Sequence, residues 1–206
     1  MSARPAAGGG RWVDVAPARL PRWLATFAER HGAYDWAGDT AVAADGATAE
    51  LTLPAGVPGR AALAGQPPRI GLLLARKGAV AVGVADGDKL VASKVDTHYV
   101  QGRTAAGGWS QQRFARRRDN QAKAAAADGA AIAARVLLPQ VRTLAALVCG
   151  GDRAQVDTIL AAPALAPLAA LRAARLLDVP EPRHAVLVAA VAQARAVRIR
   201  VREITE

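Results

Sequence analysis

Residues 69–96 read RIGLLLARKGAVAVGVADGDKLVASKVD, three short apolar runs parted by two tight breaks. RIGLLLAR (69–76), GAVAVGVAD (78–86) and KLVASKVD (89–96) have the length of strands and are too short for ordinary helices. The breaks at Lys77-Gly78 and Asp86-Gly87-Asp88 are glycine-bearing and short enough for antiparallel hairpins. Three hairpin-linked strands therefore open the larger part of the chain.

Downstream the periodicity changes. A helix is predicted over 110–138, then a buried strand over 143–149 closed by Gly150-Gly151. Asp152 has the side chain to N-cap a helix running to 160. Residues 164–172 read as helical, 175–179 as a short strand before the Pro180/Pro182 break, and 183–194 as a helix. In VRIRVR (197–202) the alternation is strict: Val197, Ile199 and Val201 point to a core, and Arg198, Arg200 and Arg202 to water. Hairpins followed by alternating helices and strands imply an α/β (α+β) class, a mixed β-sheet with packed helices.

Working back toward the N-terminus, PAGVPGRAALAGQPP (54–68) holds four prolines and three glycines and reads as a linker. Before it, 11–53 reads as a small N-terminal α+β module. RWVDV (11–15) is a strand, 17–31 a helix on the spacing of Leu20, Trp23, Leu24 and Phe27, and 34–54 one or two strands around an Asp45-Gly46 turn. Residues 1–10 are expected to be a disordered tail, and 69–206 a single C-terminal domain.

Composition narrows the function classes. With 52% hydrophobic and 4% aromatic residues, the chain can bury a core made mostly of Ala, Val and Leu. One cysteine, Cys149, rules out an internal disulfide framework and a Cys-based zinc site, and within LAALVC it reads as a small core residue. MSARPAAGGG lacks the apolar stretch of a signal peptide. The longest apolar run, AVLVAAVA (185–192), is far short of the roughly 20 residues that span a bilayer. The expectation is a soluble cytoplasmic protein, a monomer, with no membrane association, no cofactor and no metal.

Charge is the next discriminator. The formal net charge is +10, and residues 1–66 contribute nothing to it, with six Arg against six Asp or Glu. Residues 67–206 hold 21 Lys or Arg against 11 Asp or Glu. A polyanion is the partner such a distribution favours.

The excess is densest in GRTAAGGWSQQRFARRRDNQAK (102–123). At 100° per residue, Phe114, Ala122, Ala125, Gly129, Ile132 and Val136 share one side of the predicted helix. Arg113, Arg116, Arg117, Asn120 and Lys123 share the other, while Arg118 falls on the apolar side, implying that the first turns project beyond the sheet. Like charges at i, i+4 repel, and a helix start is the unfavourable end of the dipole for cations. That cost is removed by a phosphate backbone. Arg103, Arg113, Arg116, Arg117, Arg118 and Lys123 are therefore the candidate RNA contacts. Ahead of them, Gly107-Gly108 permits close backbone approach to a ligand, and Trp109 can stack on a base or anchor the loop. Gln111 and Gln112 are neutral amides, able to place a water or hold a leaving group but not to act as a general base.

On these residues the chain resembles the release-factor-like domain of the ankyrin-and-zinc-finger peptidyl-tRNA hydrolases, and in particular their short actinobacterial members. That group acts in ribosome-associated quality control and is related to the Gly-Gly-Gln domain of eukaryotic and archaeal release factors. The family's Gly-x-x-Gln motif matches Gly108-Trp109-Ser110-Gln111. By resemblance Gln111 is the catalytic glutamine, with Gly108 in the motif and Gly107, Trp109, Ser110 and Gln112 as loop support. The resemblance covers about 69–206 and is specific around 101–123. It implies a domain akin to release factor middle domains, with peptidyl-tRNA and the peptidyl-transferase centre of the large ribosomal subunit as partners. Two reactions stay open: water attack on the ester, or cleavage in the tRNA 3′ end with a 2′-hydroxyl as nucleophile. The zinc finger and ankyrin repeats of the larger members are not found in this sequence.

Two other readings compete for the same features. A metal-dependent nuclease needs clustered carboxylates, but the first strand, RIGLLLAR, carries none, Asp86 and Asp88 lie in a turn, and Asp96 is isolated. A non-catalytic RNA- or ribosome-binding module would use the same basic helix with Gln111 as bystander. Among the histidines, His31 and His184 read as structural or surface residues. His98 and Tyr99, just before the loop, read as its supports.

Overall fold

The computed structural model of the protein describes residues 4–76, 78–97 and 110–203. The chain divides into two compact units, 1–67 with 192–206, and 68–191.

The first unit is built on β1 (Arg4–Pro5), β2 (Arg11–Val15), α1 (Leu20–His31), β3 (Tyr34–Ala37), β4 (Thr40–Ala43) and β5 (Thr48–Thr52). The glycine-turned segment expected to hold one or two strands forms three. The last strand of the chain, Val197–Arg202, inserts between β2 and β5, so the sheet order is β1, β2, 197–202, β5, β4, β3. All its pairings are antiparallel. Leu20 and Phe27 of α1 join Val13, Val15, Ala49, Leu51, Val197, Ile199 and Val201 in one core. The β4–β5 turn is fixed by Asp45, which accepts the Ala47 N–H and pairs with His31 Nδ1, both at 2.9 Å. Those two contacts hold the Asp45 carboxyl below its ordinary range.

This arrangement corrects three boundaries. The expected tail supplies β1, the expected linker includes a short 3-10 helix, Arg60–Ala64, and Leu63 packs on the first core. The last strand is not part of a 69–206 domain. Alternation told which faces of VRIRVR are apolar, but strand alternation says nothing about which sheet accepts the strand.

The second unit contains β6 (Ile70–Arg76), β7 (Ala79–Asp86), β8 (Lys89–Thr97), α2 (Ser110–Leu137), β9 (Ala146–Gly151), α3 (Arg153–Leu160), α4 (Ala166–Ala169), β10 (Arg172–Leu177) and the start of α5 (His184–Arg195), with the last strand then numbered β11. Its sheet order is β10-β9-β6-β7-β8. The β6–β7 and β7–β8 pairs are the expected antiparallel hairpins, and β9 pairs parallel to both β6 and β10. The sheet is therefore mixed. β6 and β7 are central and buried along almost their whole length, which is why they carry unbroken apolar sequence rather than alternation.

Leu73, Ala75, Val80, Val82 and Val84 form a core with Ile132, Ala133 and Leu137 of α2 and Val156, Ile159 and Leu160 of α3. On the opposite face a Cβ at Gly83 would meet Leu187 of α5 at 3.1 Å. Asp152 caps α3 as expected, accepting from the Ala154 and Gln155 N–H groups. Cys149 is a core residue, fully buried, and burial pushes its thiol up to about 11.

Two stability predictions follow from this unit. Gly151 has φ 93°, and a Cβ there would stand 2.3 Å from the Ala75 carbonyl oxygen, which also accepts the Asp152 N–H at 2.7 Å. Gly151→Ala forces the backbone apart and should cost at least about 2 kcal/mol, read as a lower denaturant midpoint. For Cys149 the folded-state pKa is raised. Its contribution is therefore intact below about pH 8.5, where the unfolded thiol is also protonated. It falls as pH climbs to about 11, where the folded thiol ionises. Cys149→Ala should remove that part of the alkaline stability loss, and native Cys149 should resist iodoacetamide at pH 8 until denaturant is added.

Candidate nucleic-acid interface

The candidate site is organised by α2. Its 28 residues correspond to about 42 Å of helix. From Lys123 onward, where its side chains are described, Lys123 and Ala124 are exposed, Ala125 and Ala126 half-buried, Ala127 and Asp128 exposed, and Gly129 is the first buried residue. Gly129 allows the close approach, since a Cβ there would lie 2.9 Å from Ile159 Cδ1 and 3.2 Å from Val80 Cγ2. From there Ile132, Ala133 and Leu137 key the helix onto the sheet and α3. The small-residue face read from the sequence is thus seen in part: Gly129 and Ile132 are buried, Ala125 and Val136 half-buried.

β8, the edge strand, ends at Thr97, and α2 begins at Ser110. The glycine-bearing run thus connects an edge strand to the start of a long helix anchored at its far end. Arg103, Gly107, Gly108 and Trp109 lie outside the described residues, as do His98 and Tyr99. Ser110, Gln111, Gln112, Arg113, Arg116, Arg117 and Arg118 belong to α2 by backbone, and their side chains lie outside the described set. Lys123, the last of the candidate RNA contacts, is exposed.

The division into units sharpens the charge distribution. The second unit holds 17 Lys or Arg against 9 Asp or Glu, and the first 10 against 8. Six of those 17 cations, with one acid (Asp119), fall within 102–123. Elsewhere in the unit several arginines are engaged. Arg69 donates to Asp86 at 2.7 Å and to Gln140 at 3.1 Å, Arg76 to the Val179 carbonyl at 2.7 Å, and Arg172 to Asp157 at 2.5 Å.

Asp86, a carboxylate weighed for a nuclease site, is thus an ion-pair partner. Among the described residues no group of three or more His, Cys, Asp or Glu gathers where it could hold a metal ion. Of the histidines, His31 is tied to Asp45 and lies against Phe27 with ring centroids 4.9 Å apart and planes tilted by 42°, and His184 is exposed at the start of α5. No described helix is long and apolar enough to cross a membrane.

Sequence reasoning missed the side-chain groupings that depend on register. Trp12 was read only as part of a strand, yet the pairing of β2 with β11 places it beside Arg198 and Arg200, whose guanidinium carbons lie 4.3 and 5.7 Å from its ring centroid. Arg60, in the expected linker, sits over the Trp36 ring at 3.5 Å. No local signal marks either contact, because the partners are far apart in sequence.

The geometry defines first a class: an α+β protein whose mixed sheet holds one end of a long helix that carries the chain's densest run of cations at its other end. The family is narrower. Residues 68–200, well over half of the chain, match the family model of the Actinobacteria/chloroflexi VLRF1 release factor, acVLRF1. The chain belongs to that family. No curated protein matches the chain. Among solved structures, the archaeal translation termination factor aRF1 is similar with a TM-score of 0.41 and 16% identity, over 62% of this chain and 36% of that one. A second structure, described as an archaeal protein, gives a TM-score of 0.41 and 17% identity over the same shares. The chain spans just over a third of the length of these two proteins.

Proposed function

We propose that this protein is a peptidyl-tRNA hydrolase that frees nascent peptides from tRNA on stalled ribosomes or large subunits. The observation that carries the reading is positional: in a member of a release-factor family, Gly108-Trp109-Ser110-Gln111 stands where α2 begins. Supporting it are the six cations in 102–123 and the anchoring of α2 through its far end. In this reading Arg103, Arg113, Arg116, Arg117, Arg118 and Lys123 grip RNA of the large subunit. Gly107 and Gly108 bring the backbone close to the tRNA 3′ end in the peptidyl-transferase centre. Trp109, Ser110 and Gln112 hold the loop, with His98 and Tyr99 behind it.

Gln111 cannot remove a proton as a base, so its part is to place a nucleophile and to donate an N–H toward charge developing on the ester. The nucleophile is either water on the carboxylic ester, which frees the peptide and leaves an intact tRNA, or a tRNA 2′-hydroxyl on its adjacent 3′-phosphodiester. The second expels the downstream 5′-oxygen and leaves a shortened tRNA ending in a cyclic phosphate, with the peptide on the released 3′ fragment. The kinship proposed is with the ankyrin-and-zinc-finger proteins of ribosome-associated quality control. The place of action is the cytoplasm.

A specific observation keeps one second reading in view: the basic helix alone accounts for RNA binding without chemistry. Ribosomes carrying labelled peptidyl-tRNA separate these cases. Incubation with the protein should free the peptide, and sizing the tRNA distinguishes ester hydrolysis from 3′-end cleavage. Binding without release would return the chain to a non-catalytic module.

A further inference from the structure

The first unit presents an arginine-bearing surface that the release reading does not use. On β11, Val197, Ile199 and Val201 are buried, leaving Arg198, Arg200 and Arg202 on the other face of the sheet. Their Cα atoms follow one another about 6.8 Å apart along the strand, and the Arg198 and Arg200 guanidiniums converge on Trp12, 4.3 and 5.7 Å from its ring centroid. The register sets Arg200 opposite Trp12 on β2 and Glu50 on β5, Arg198 opposite Asp14 and Thr52, and Arg202 opposite Thr48. Glu50, Thr52 and Arg202 are exposed, so this part of the face is open to solvent.

Cations on it exceed acids by one: Arg4, Arg198, Arg200 and Arg202 stand against Asp14, Glu50 and Asp35. Asp14 pairs with Arg4 at 3.6 Å, and Glu203 with Arg11 at 3.0 Å. Arg200 donates to the carbonyls of Ala7 at 2.6 Å and Gly9 at 3.3 Å, neutral acceptors that leave its charge uncompensated. Among the described residues no hydrogen bond or ion pair engages the guanidinium of Arg198 or Arg202. Arg198 instead has its guanidinium carbon 4.3 Å from the Trp12 ring centroid, within cation–π range. The remaining carboxylates on this face are Glu50 and, on the far edge strand, Asp35. A sheet face bearing a guanidinium–indole contact, three arginines with no ion-pair partner among the described residues and threonine hydroxyls offers a π-surface for bases and donors for phosphates. An acidic peptide would use the charges but has no need of the indole.

We infer that this face, built on Trp12, Arg198, Arg200 and Arg202, binds single-stranded RNA. The site is separate in residues from the loop and α2, and it does not depend on their chemistry.

The test uses the full chain and a fluorescent single-stranded RNA of twelve nucleotides, with affinity measured against salt concentration. Arg198→Gln with Arg202→Gln should weaken binding roughly fivefold to tenfold and reduce the log–log salt slope by about 1.4, two phosphate contacts at about 0.7 each. Arg198→Lys with Arg202→Lys should retain most of the slope. Arg202→Glu, at an exposed position that cannot disturb the core, should weaken binding on its own. Photo-crosslinking with 4-thiouridine RNA should give adducts on peptides containing Trp12 or residues 197–202. Unchanged affinity and slope, with adducts confined to 102–123, would overturn the inference. So would an equal loss of binding to a poly-glutamate peptide, which would make an acidic protein the occupant. Gln111→Ala leaves all these readouts unchanged, so failure of the release reading and failure of this one are distinguishable.

Discussion

Gln111→Ala is expected to lower peptide release from ribosomes carrying peptidyl-tRNA by about a hundredfold to a thousandfold, the loss that follows removal of one positioned donor from a reacting centre. Ribosome association, measured by co-sedimentation, should stay within about twofold, because a neutral amide contributes nothing to the counterion release that dominates RNA affinity. The combination is what matters. Loss of both release and association would mean a misfolded loop, and unchanged release would remove Gln111 from the chemistry. Gln112→Ala provides the internal comparison: placed one residue beyond the motif, it should reduce release far less. If the two variants exchange roles, the register Gly108-Trp109-Ser110-Gln111 is wrong by one.

Arg113, Arg116 and Arg117 carry the second large effect. Replacing all three with glutamine should weaken binding to ribosomal RNA by roughly 50-fold to 100-fold at physiological salt and lower the log–log slope by about 2, from three lost phosphate contacts. The same variant should be no less stable than the parent chain. Its glutamines remove like-charge repulsion between positions 113 and 117 and cations from the unfavourable end of the helix dipole. The helix is anchored elsewhere, through Gly129, Ile132, Ala133 and Leu137. A fall in melting temperature alongside weaker binding would point instead to arginines that hold the fold.

The residues that anchor α2 and those proposed to act on RNA were legible in the sequence to different degrees. The core face of α2 could be read because a 3.6-residue period is a local property, and Gly129 and Ile132 are buried where that period puts them. The hairpins β6–β7 and β7–β8 were legible for the same reason, since turn residues and apolar runs lie side by side. Helix 164–172 was overread. The segment is a 3-10 turn, Pro163–Leu165, and a single turn of α-helix, Ala166–Ala169, before β10 starts at Arg172. Its alanines and leucines have helix propensity, but pairing of β10 with β9 outweighs a weak local preference.

What the sequence determined by itself was the class, the order of the main elements, and the segment 102–123 as the densest positive charge, because these follow from neighbours along the chain. The tertiary structure decided where the last strand belongs. VRIRVR shows its two faces in any register, but only long-range pairing with β2 and β5 takes it out of the expected C-terminal domain and sets Arg198 against Trp12. Backbone hydrogen bonds between strands this far apart in sequence carry no local signature, so the sheet that accepts β11 is settled by burial of Val197, Ile199 and Val201 in the first core.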